Sequence, residues 1–235
     1  MYDIINMTIS QEQIQDLYAF TRQHFVEHYD LQTELVDHLA NDIETIWVEQ
    51  PSLSYLEARD KAFKKFGIFG FMDVVSQRQK AMGKRYNMYL WQEFKKWVTF
   101  PKLLITLTIY FGFYTMLSFG IAFYVLVGTY SIIAIWSIYK SIQLNRQFKL
   151  RKKKSNKKWM LEEIIFKQAG VSGLLLMSQF PSLHQFSDMM LSSNSMLSLV
   201  SLCATLFVLW MYISFELLPN KAEDLLNETY PEFSL

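Results

Sequence analysis

The pattern of apolar and polar positions divides the chain into an amphipathic half and a strongly apolar half. Up to about residue 99, apolar residues recur every three to four positions, and no stretch alternates like a strand. Residues 103–139 contain no charged residue. The pattern predicts an all-α protein with a cytosolic helical domain over residues 1–99, a four-helix transmembrane bundle over 100–218 and a cytoplasmic tail over 219–235.

Residues that start and stop helices predict about four helices in the N-terminal half. Ser10 and Ser54 are each followed three residues later by Gln or Glu, which is the spacing of a capping box. A second helix is expected over residues 31–49, with Asp30 as its N-terminal cap. The third helix is expected to stop at Gly67, and a long fourth helix follows it.

Four apolar stretches are predicted to span a membrane: residues 103–119, 121–139, 164–180 and 196–218. The first two contain 17 and 19 residues. At 1.5 Å per residue they extend roughly 26 and 28 Å, against about 30 Å of bilayer hydrocarbon. The third stretch is the least regular, because Lys167 lies inside it.

The distribution of basic residues predicts the orientation of these spans. The connecting loop 140–158 contains nine Lys and Arg residues and no acid, and such short loops stay in the cytoplasm. An even number of spans then leaves both termini inside, which predicts a multi-pass protein of the bacterial inner (cytoplasmic) membrane. The same loop is expected to attract anionic lipid. Nucleic-acid binding is the alternative, and it is not expected because no aromatic residues interleave the charges.

Two ionisable residues lie within the predicted spans. Lys167 is near the cytoplasmic end of the third and Glu216 near that of the fourth. Antiparallel packing would bring them to a similar depth, so one hypothesis is that they form an ion pair, since isolated charges are costly in lipid. The alternative is that each side chain reaches the interface separately.

The helix over residues 31–49 carries the chain's most distinctive cluster of polar side chains. Glu34, His38 and Asp42 recur every four residues and therefore share one face. One interpretation is a surface that binds a cytoplasmic protein partner, with candidate residues Glu34, Asp37, His38, Asp42 and Glu44. The alternative is a solvated face, or one that docks on loop 140–158 of the same chain.

A divalent metal is a weaker interpretation of the same region, because imidazole and carboxylate groups recur there at helical spacing. Its candidate ligands are His24, His28, Glu34, His38 and Asp42. The single cysteine, Cys203, excludes a disulfide framework and a cysteine-based metal site. No zinc-protease motif, phosphate-binding glycine loop or nucleophile elbow occurs, so no catalytic residue and no cofactor are predicted.

Two motifs carry a resemblance to known proteins. The run YDLQTELVDHLANDIE, residues 29–44, resembles the YDxQxELVDHLAxxIE signature of uncharacterised bacterial membrane proteins. Residues 54–67 resemble their SFEEAxxxAxxxFG segment. The layout is also similar to the helical domain associated with sensors (HAAS) and to permease prefix domains, which are cytoplasmic helical modules next to transmembrane helices. The resemblance implies an interaction or regulatory module.

The expected function is therefore that of a membrane-anchored protein-interaction or signalling module. A transporter or an ABC-type permease-associated subunit is the alternative from another class; it would require a polar cavity between the spans that contains Lys167, Glu216 and tyrosine hydroxyls. A metal-dependent membrane enzyme is a third, less favoured alternative.

Overall fold

The computed structural model describes residues 8–119, 121–167, 193–230 and 233. All regular secondary structure within these ranges is helical, as the periodicity predicts. The chain divides into two compact units. Unit 1 comprises Met1–Gly83 together with Ser155–Met160, and unit 2 comprises Lys84–Lys154 together with Leu161–Leu235. The division falls within the fourth helix rather than near residue 99, and a short segment from the second half of the chain belongs to unit 1.

Unit 1 contains three helices and the beginning of a fourth: α1 (Gln11–Gln23), α2 (Tyr29–Glu49), α3 (Tyr55–Lys64) and α4 (Met72–Lys95). Both predicted capping boxes are confirmed. The hydroxyl oxygens of Ser10 and Ser54 each accept a hydrogen bond from the backbone N–H three residues later, and the Gln or Glu side chain there accepts one from the serine backbone N–H.

The core of unit 1 is built on the apolar stripe of α2. Its four main side chains are spaced four residues apart and are almost completely buried: Leu31, Leu35, Leu39 and Ile43. Burying a side chain of this size stabilises a fold by about 1.5–3 kcal/mol, so this stripe is the main reason why α2 packs against α1 and α3. A polar contact also joins α3 to α1, because Asp16 accepts a 2.7 Å hydrogen bond from the Tyr55 hydroxyl.

The start of α2 differs from the prediction. The helix begins at Tyr29 with His28 as its cap residue, so Asp30 lies inside the first turn and does not cap it. The physical reason is that residues far away in the sequence satisfy the groups at this helix start. The Tyr29 N–H donates to the Lys158 carbonyl at 2.7 Å, and the Asp30 carboxylate accepts from the Met160 N–H.

Unit 2 contains the remaining part of α4 and the apolar helices. These are α5 (Lys102–Ser118), α6 (Ala122–Ser155), a helix α7 described over residues 160–167, and α8 (Asn194–Tyr212). A π-helical turn (Ile213–Leu217), the short α9 (Leu218–Asn220) and α10 (Ala222–Thr229) follow. The predicted span 164–180 lies outside the described residues from residue 168 onwards.

The basic segment is not a loop, which corrects the prediction for residues 140–158. Helix α6 is 34 residues long and ends at Ser155, so it includes residues 140–155 of this segment. The segment lacks Gly and Pro, and its Lys, Arg, Gln and Leu residues favour helix. Leu144 and Phe148, one turn apart, are both buried and fix this extension by packing. The predicted tail is also partly helical, with Leu226 of α10 fully buried.

Among the residues that the structure describes, two helices are long and apolar enough to cross a membrane, Ala122–Ser155 and Asn194–Asn220, and Lys102–Ser118 is a shorter apolar helix. Large apolar side chains on α6 point outward: Ile132 and Ile135 are each 69% exposed. A core helix of a soluble protein would bury most of these side chains. The three helices nevertheless pack on one another inside unit 2, where Leu117, Ala122 and Leu197 form a common buried cluster.

Candidate interaction groove and the Asp30 contact

The face of α2 that carries the predicted interaction residues borders a groove in unit 1. Glu34, His38 and Asp42 line a cavity of about 360 Å³ on this side. The apolar part of its lining comes from Leu35 and from residues near the ends of α3 and α4: Phe66 and Val74. The groove therefore combines an acidic rim with an apolar lining, an arrangement that suits an apolar side chain flanked by basic groups.

The remaining predicted interaction residues lie elsewhere. Glu44 is partly buried, and one of its carboxylate oxygens accepts a 3.0 Å hydrogen bond from the Ile9 backbone N–H. Asp37 is exposed and is not among the residues that line the groove. The four-residue spacing thus identified the groove side chains, whereas the wider acidic cluster is divided between two faces of α2.

Two basic side chains meet the carboxylates at the groove. The Lys65 Nζ lies 2.6 Å from the Asp42 Oδ1, and the Arg78 Nη1 lies 3.5 Å from the Glu34 Oε2. Both carboxylates are a third or more exposed, and pairs of this kind contribute only about 0–1 kcal/mol. A basic ligand that offers better geometry would therefore displace either partner at little cost.

Arg78 also faces a second carboxylate, that of Asp30. The distance from its Nε to the Asp30 Oδ2 is 3.8 Å, and the Asp30 side chain is only 3% exposed. The other oxygen, Oδ1, accepts a 3.3 Å hydrogen bond from the Met160 backbone N–H. Arg78 therefore lies between an exposed carboxylate of the groove and a buried one that holds the 155–160 segment.

Residues 157–160 are attached to the start of α2 by several further contacts. The Trp159 ring is 2% exposed and packs edge-on against Tyr29, with ring centroids 5.4 Å apart. The Lys157 ammonium lies 4.5 Å from the centre of the same Tyr29 ring, a cation–π distance. The Lys158 Nζ lies 2.6 Å from the Glu27 carboxylate. One alternative expected from the sequence is docking of segment 140–158 on the acidic face of α2, whereas the contacts of residues 157–160 lie at the start of that helix.

The five candidate metal ligands do not form one site, although Glu34, His38 and Asp42 border the same groove. His24 packs among aromatic rings, and its Nδ1 is 2.9 Å from the Phe20 carbonyl oxygen. His28 is the cap residue of α2, and Glu34 and Asp42 have the basic partners described above. Within residues 8–119, 121–167, 193–230 and 233, no group of three His, Cys, Asp or Glu side chains is placed to hold a metal ion.

Lys167 and Glu216, for which an ion pair is one of two hypotheses, each contact another charged residue. The Lys167 Nζ lies 2.5 Å from the Glu163 carboxylate, one turn earlier on the same helix. Glu216, in the π-helical turn, forms an ion pair with Lys140 of α6. The sequence predicts a loop at Lys140, whereas in the structure this residue lies on the continuous helix α6, which brings it to Glu216.

Unit 2 contains a second ionic cluster that sequence reasoning did not find. Glu93, near the end of α4, is buried, and one of its oxygens lies 2.7 Å from the ammonium groups of both Lys96 and Lys221. Burial raises the pKa of Glu93, but the hydrogen bonds from Lys221 and Lys96 outweigh it and lower that pKa below its ordinary value. The carboxylate is therefore ionised at neutral pH and joins α4 to the residue that precedes α10.

Comparison with known proteins gives no relatives at a significant level: no family model, no curated protein and no solved structure matches the chain.

Proposed function

We propose that this chain is a multi-pass protein of the bacterial inner membrane whose unit 1 is a cytoplasmic protein-interaction module with a regulatory role. Four spans, near residues 103–119, 121–139, 164–180 and 196–218, place both termini in the cytoplasm in this proposal. The basic end of α6 supports the orientation, because Lys and Arg residues next to a span stay inside. The exposed apolar surface of α6 supports the membrane location.

The binding site of the module is the groove beside α2. Its acidic rim favours a partner with Lys or Arg side chains, and its apolar lining favours one large apolar side chain between them. We therefore expect the partner to be a protein that presents a basic amphipathic segment. The single observation that carries this proposal is the convergence of Glu34, His38 and Asp42 on one groove of about 360 Å³.

Arg78 gives the module a route for regulation. A basic side chain of the partner that binds Glu34 competes with Arg78 for that carboxylate. Of the two carboxylates that face Arg78 in the described part of the chain, Asp30 then remains, 3.8 Å away in the free form. Because Asp30 also holds the Met160 N–H, occupancy of the groove changes the charge around the contact that fixes the 155–160 segment.

Site-specific photo-crosslinking in cells tests the module. A photoreactive amino acid replaces His38 in the groove, and the same amino acid at the exposed Glu12 of α1 is the matched control. We expect an adduct with one protein from the groove position only, and we expect Glu34→Lys to abolish it, because the charge reversal repels a basic partner. Equal adducts from both positions, or an adduct that survives the charge reversal, would contradict the proposal.

A further inference from the structure

A tight turn between α3 and α4, residues 67–72, leaves large apolar side chains in the open. Ile68 is 99% exposed, Phe69 is 70% exposed, and Met72 is about half exposed. Single exposed apolar residues are ordinary, but adjacent ones that form a contiguous patch mark a surface for interaction. The groove described above does not account for them, because none of the three lines it.

The backbone of this turn imposes the exposure. Gly67 and Gly70 adopt φ values of +77° and +53°, a region that side-chain-bearing residues rarely occupy. A Cβ atom at Gly70 would lie only 2.9 Å from the Phe63 ring. Phe71, next in sequence, is 1% exposed and anchors the turn in the aromatic core of unit 1. The buried anchor and the two glycines therefore hold Ile68 and Phe69 outward.

Charge and area indicate what covers the turn. Lys64, in the last turn of α3, is exposed beside it, and Lys65 follows; Asp73 is the acid next to it in sequence. Three side chains offer roughly a few hundred Å², well below the roughly 800 Å² per partner of a standard protein interface. Lys65 is paired with Asp42, so Lys64 is the lysine at the turn that can reach lipid. An apolar tip beside this exposed lysine suits a bilayer surface, where the apolar groups enter the acyl boundary and the ammonium group meets lipid phosphates.

We propose that the 67–72 turn inserts into the headgroup region of the anionic bilayer, with Ile68 and Phe69 at the acyl boundary and Lys64 on the lipid phosphates. This inference rests on the membrane anchoring in the proposed function. Insertion of so few side chains is weak for a free domain, but the anchored chain keeps the turn at an effective concentration in the millimolar range. Membrane contact thereby becomes a second way to orient unit 1.

Fluorescence quenching by spin-labelled lipids tests the insertion on the full chain. The background is Cys203→Ser, and the vesicles contain phosphatidylcholine with phosphatidylglycerol. Separate samples carry a lipid whose nitroxide is either shallow or near the bilayer centre. A polarity-sensitive dye is attached to Phe69→Cys, to Ser76→Cys as an exposed polar control on α4, and to Ile132→Cys as a control on the outward face of α6. We expect the Phe69 label to be quenched at least about twofold more than the Ser76 label, and quenching to fall when phosphatidylglycerol is omitted or when Lys64→Glu is added.

The controls separate the two proposals. If the Ile132 label is quenched by nitroxides near the bilayer centre while the Phe69 label matches the Ser76 label, the chain is anchored but the turn does not insert, and this inference is overturned. If the Ile132 label is not quenched either, the membrane anchoring itself fails. A blue-shifted Phe69 label that lipid nitroxides do not quench would mean that a protein surface, such as a second copy of the chain, covers the turn. This result would also overturn the inference.

Discussion

Substitution of Asp30 measures how firmly the 155–160 segment is held to the start of α2. The buried carboxylate accepts a 3.3 Å hydrogen bond from the Met160 N–H and faces Arg78 at 3.8 Å. A hydrogen bond to a charged group contributes about 1.5–3 kcal/mol. The Arg78 pair adds about 0–1 kcal/mol, because Arg78 is partly exposed and the distance is long.

Removal of the carboxylate in Asp30→Ala is therefore expected to cost about 2–3 kcal/mol of the free energy that closes this segment. At about 1.4 kcal/mol per factor of ten, local opening of residues 155–160 becomes roughly 30- to 100-fold more frequent. Asp30→Asn retains an acceptor oxygen for Met160 and loses only the charge, so we expect a smaller cost of about 1 kcal/mol and an increase of roughly fivefold.

Hydrogen exchange measured by mass spectrometry on the full chain in nanodiscs resolves this effect. In peptides that cover residues 155–160, exchange should be fastest in Asp30→Ala, intermediate in Asp30→Asn and slowest in wild type. Peptides from α1 should keep their protection in all three. Glu12→Ala, an exposed change in the same unit, should leave both regions unchanged. Unchanged exchange in Asp30→Ala would refute the assigned role of the carboxylate, as would an equal loss of protection across all of unit 1.

Three further predictions concern single contacts. The pKa of Glu93 is lowered in the fold, so its stabilising effect is present above the unfolded pKa of about 4.3 and is lost as pH falls through the lower folded pKa. The melting temperature of wild type should therefore exceed that of Glu93→Gln at pH 7, and the gap should close as pH falls through the lowered pKa of Glu93. Lys140→Met and Glu216→Gln should be non-additive in a double-mutant cycle of thermal stability in detergent, because they remove the same ion pair, and strict additivity would refute it. Gly70→Ala should lower the stability of unit 1 by about 1–3 kcal/mol, because its φ is positive and the Phe63 ring fills the space. Gly83→Ala in α4, where nothing beyond the adjacent helix backbone lies within 4 Å of the added Cβ, should be neutral or stabilising by up to about 1 kcal/mol. A neutral Gly70→Ala would contradict this account of the turn.

Local signals in the sequence were sufficient for the starts of α1 and α3 in unit 1. Each capping box requires only a serine and an acceptor three residues later, so the starts of α1 and α3 at Ser10 and Ser54 could be predicted. The four-residue spacing of Glu34, His38 and Asp42 likewise predicts a common face without any tertiary information. That they border a groove depends on Phe66 and Val74, whose position follows from packing.

Features that depend on distant residues could not be predicted in this way. Asp30 resembles a helix cap locally, but its hydrogen-bond partner is Met160, 130 residues later in the chain. The contact of Glu216 with Lys140 could not be predicted, because the charge run that starts at Lys140 resembles a loop by composition. The helical conformation of this charge run depends on the packing of buried side chains such as Phe148, and composition does not encode that packing.

Cysteine accessibility tests the central claim, that the apolar helices cross the inner membrane and leave the basic end of α6 in the cytoplasm. In a Cys203→Ser background, Lys153→Cys reports on this segment. Ser187→Cys reports on residues 182–195, which connect the third and fourth predicted spans, contain no Lys or Arg and are therefore expected to face outward. A membrane-impermeant maleimide is applied to intact bacterial spheroplasts and, separately, to permeabilised ones. We expect Ser187→Cys to be labelled in both samples and Lys153→Cys only after permeabilisation. Labelling of Lys153→Cys in intact spheroplasts would contradict the account.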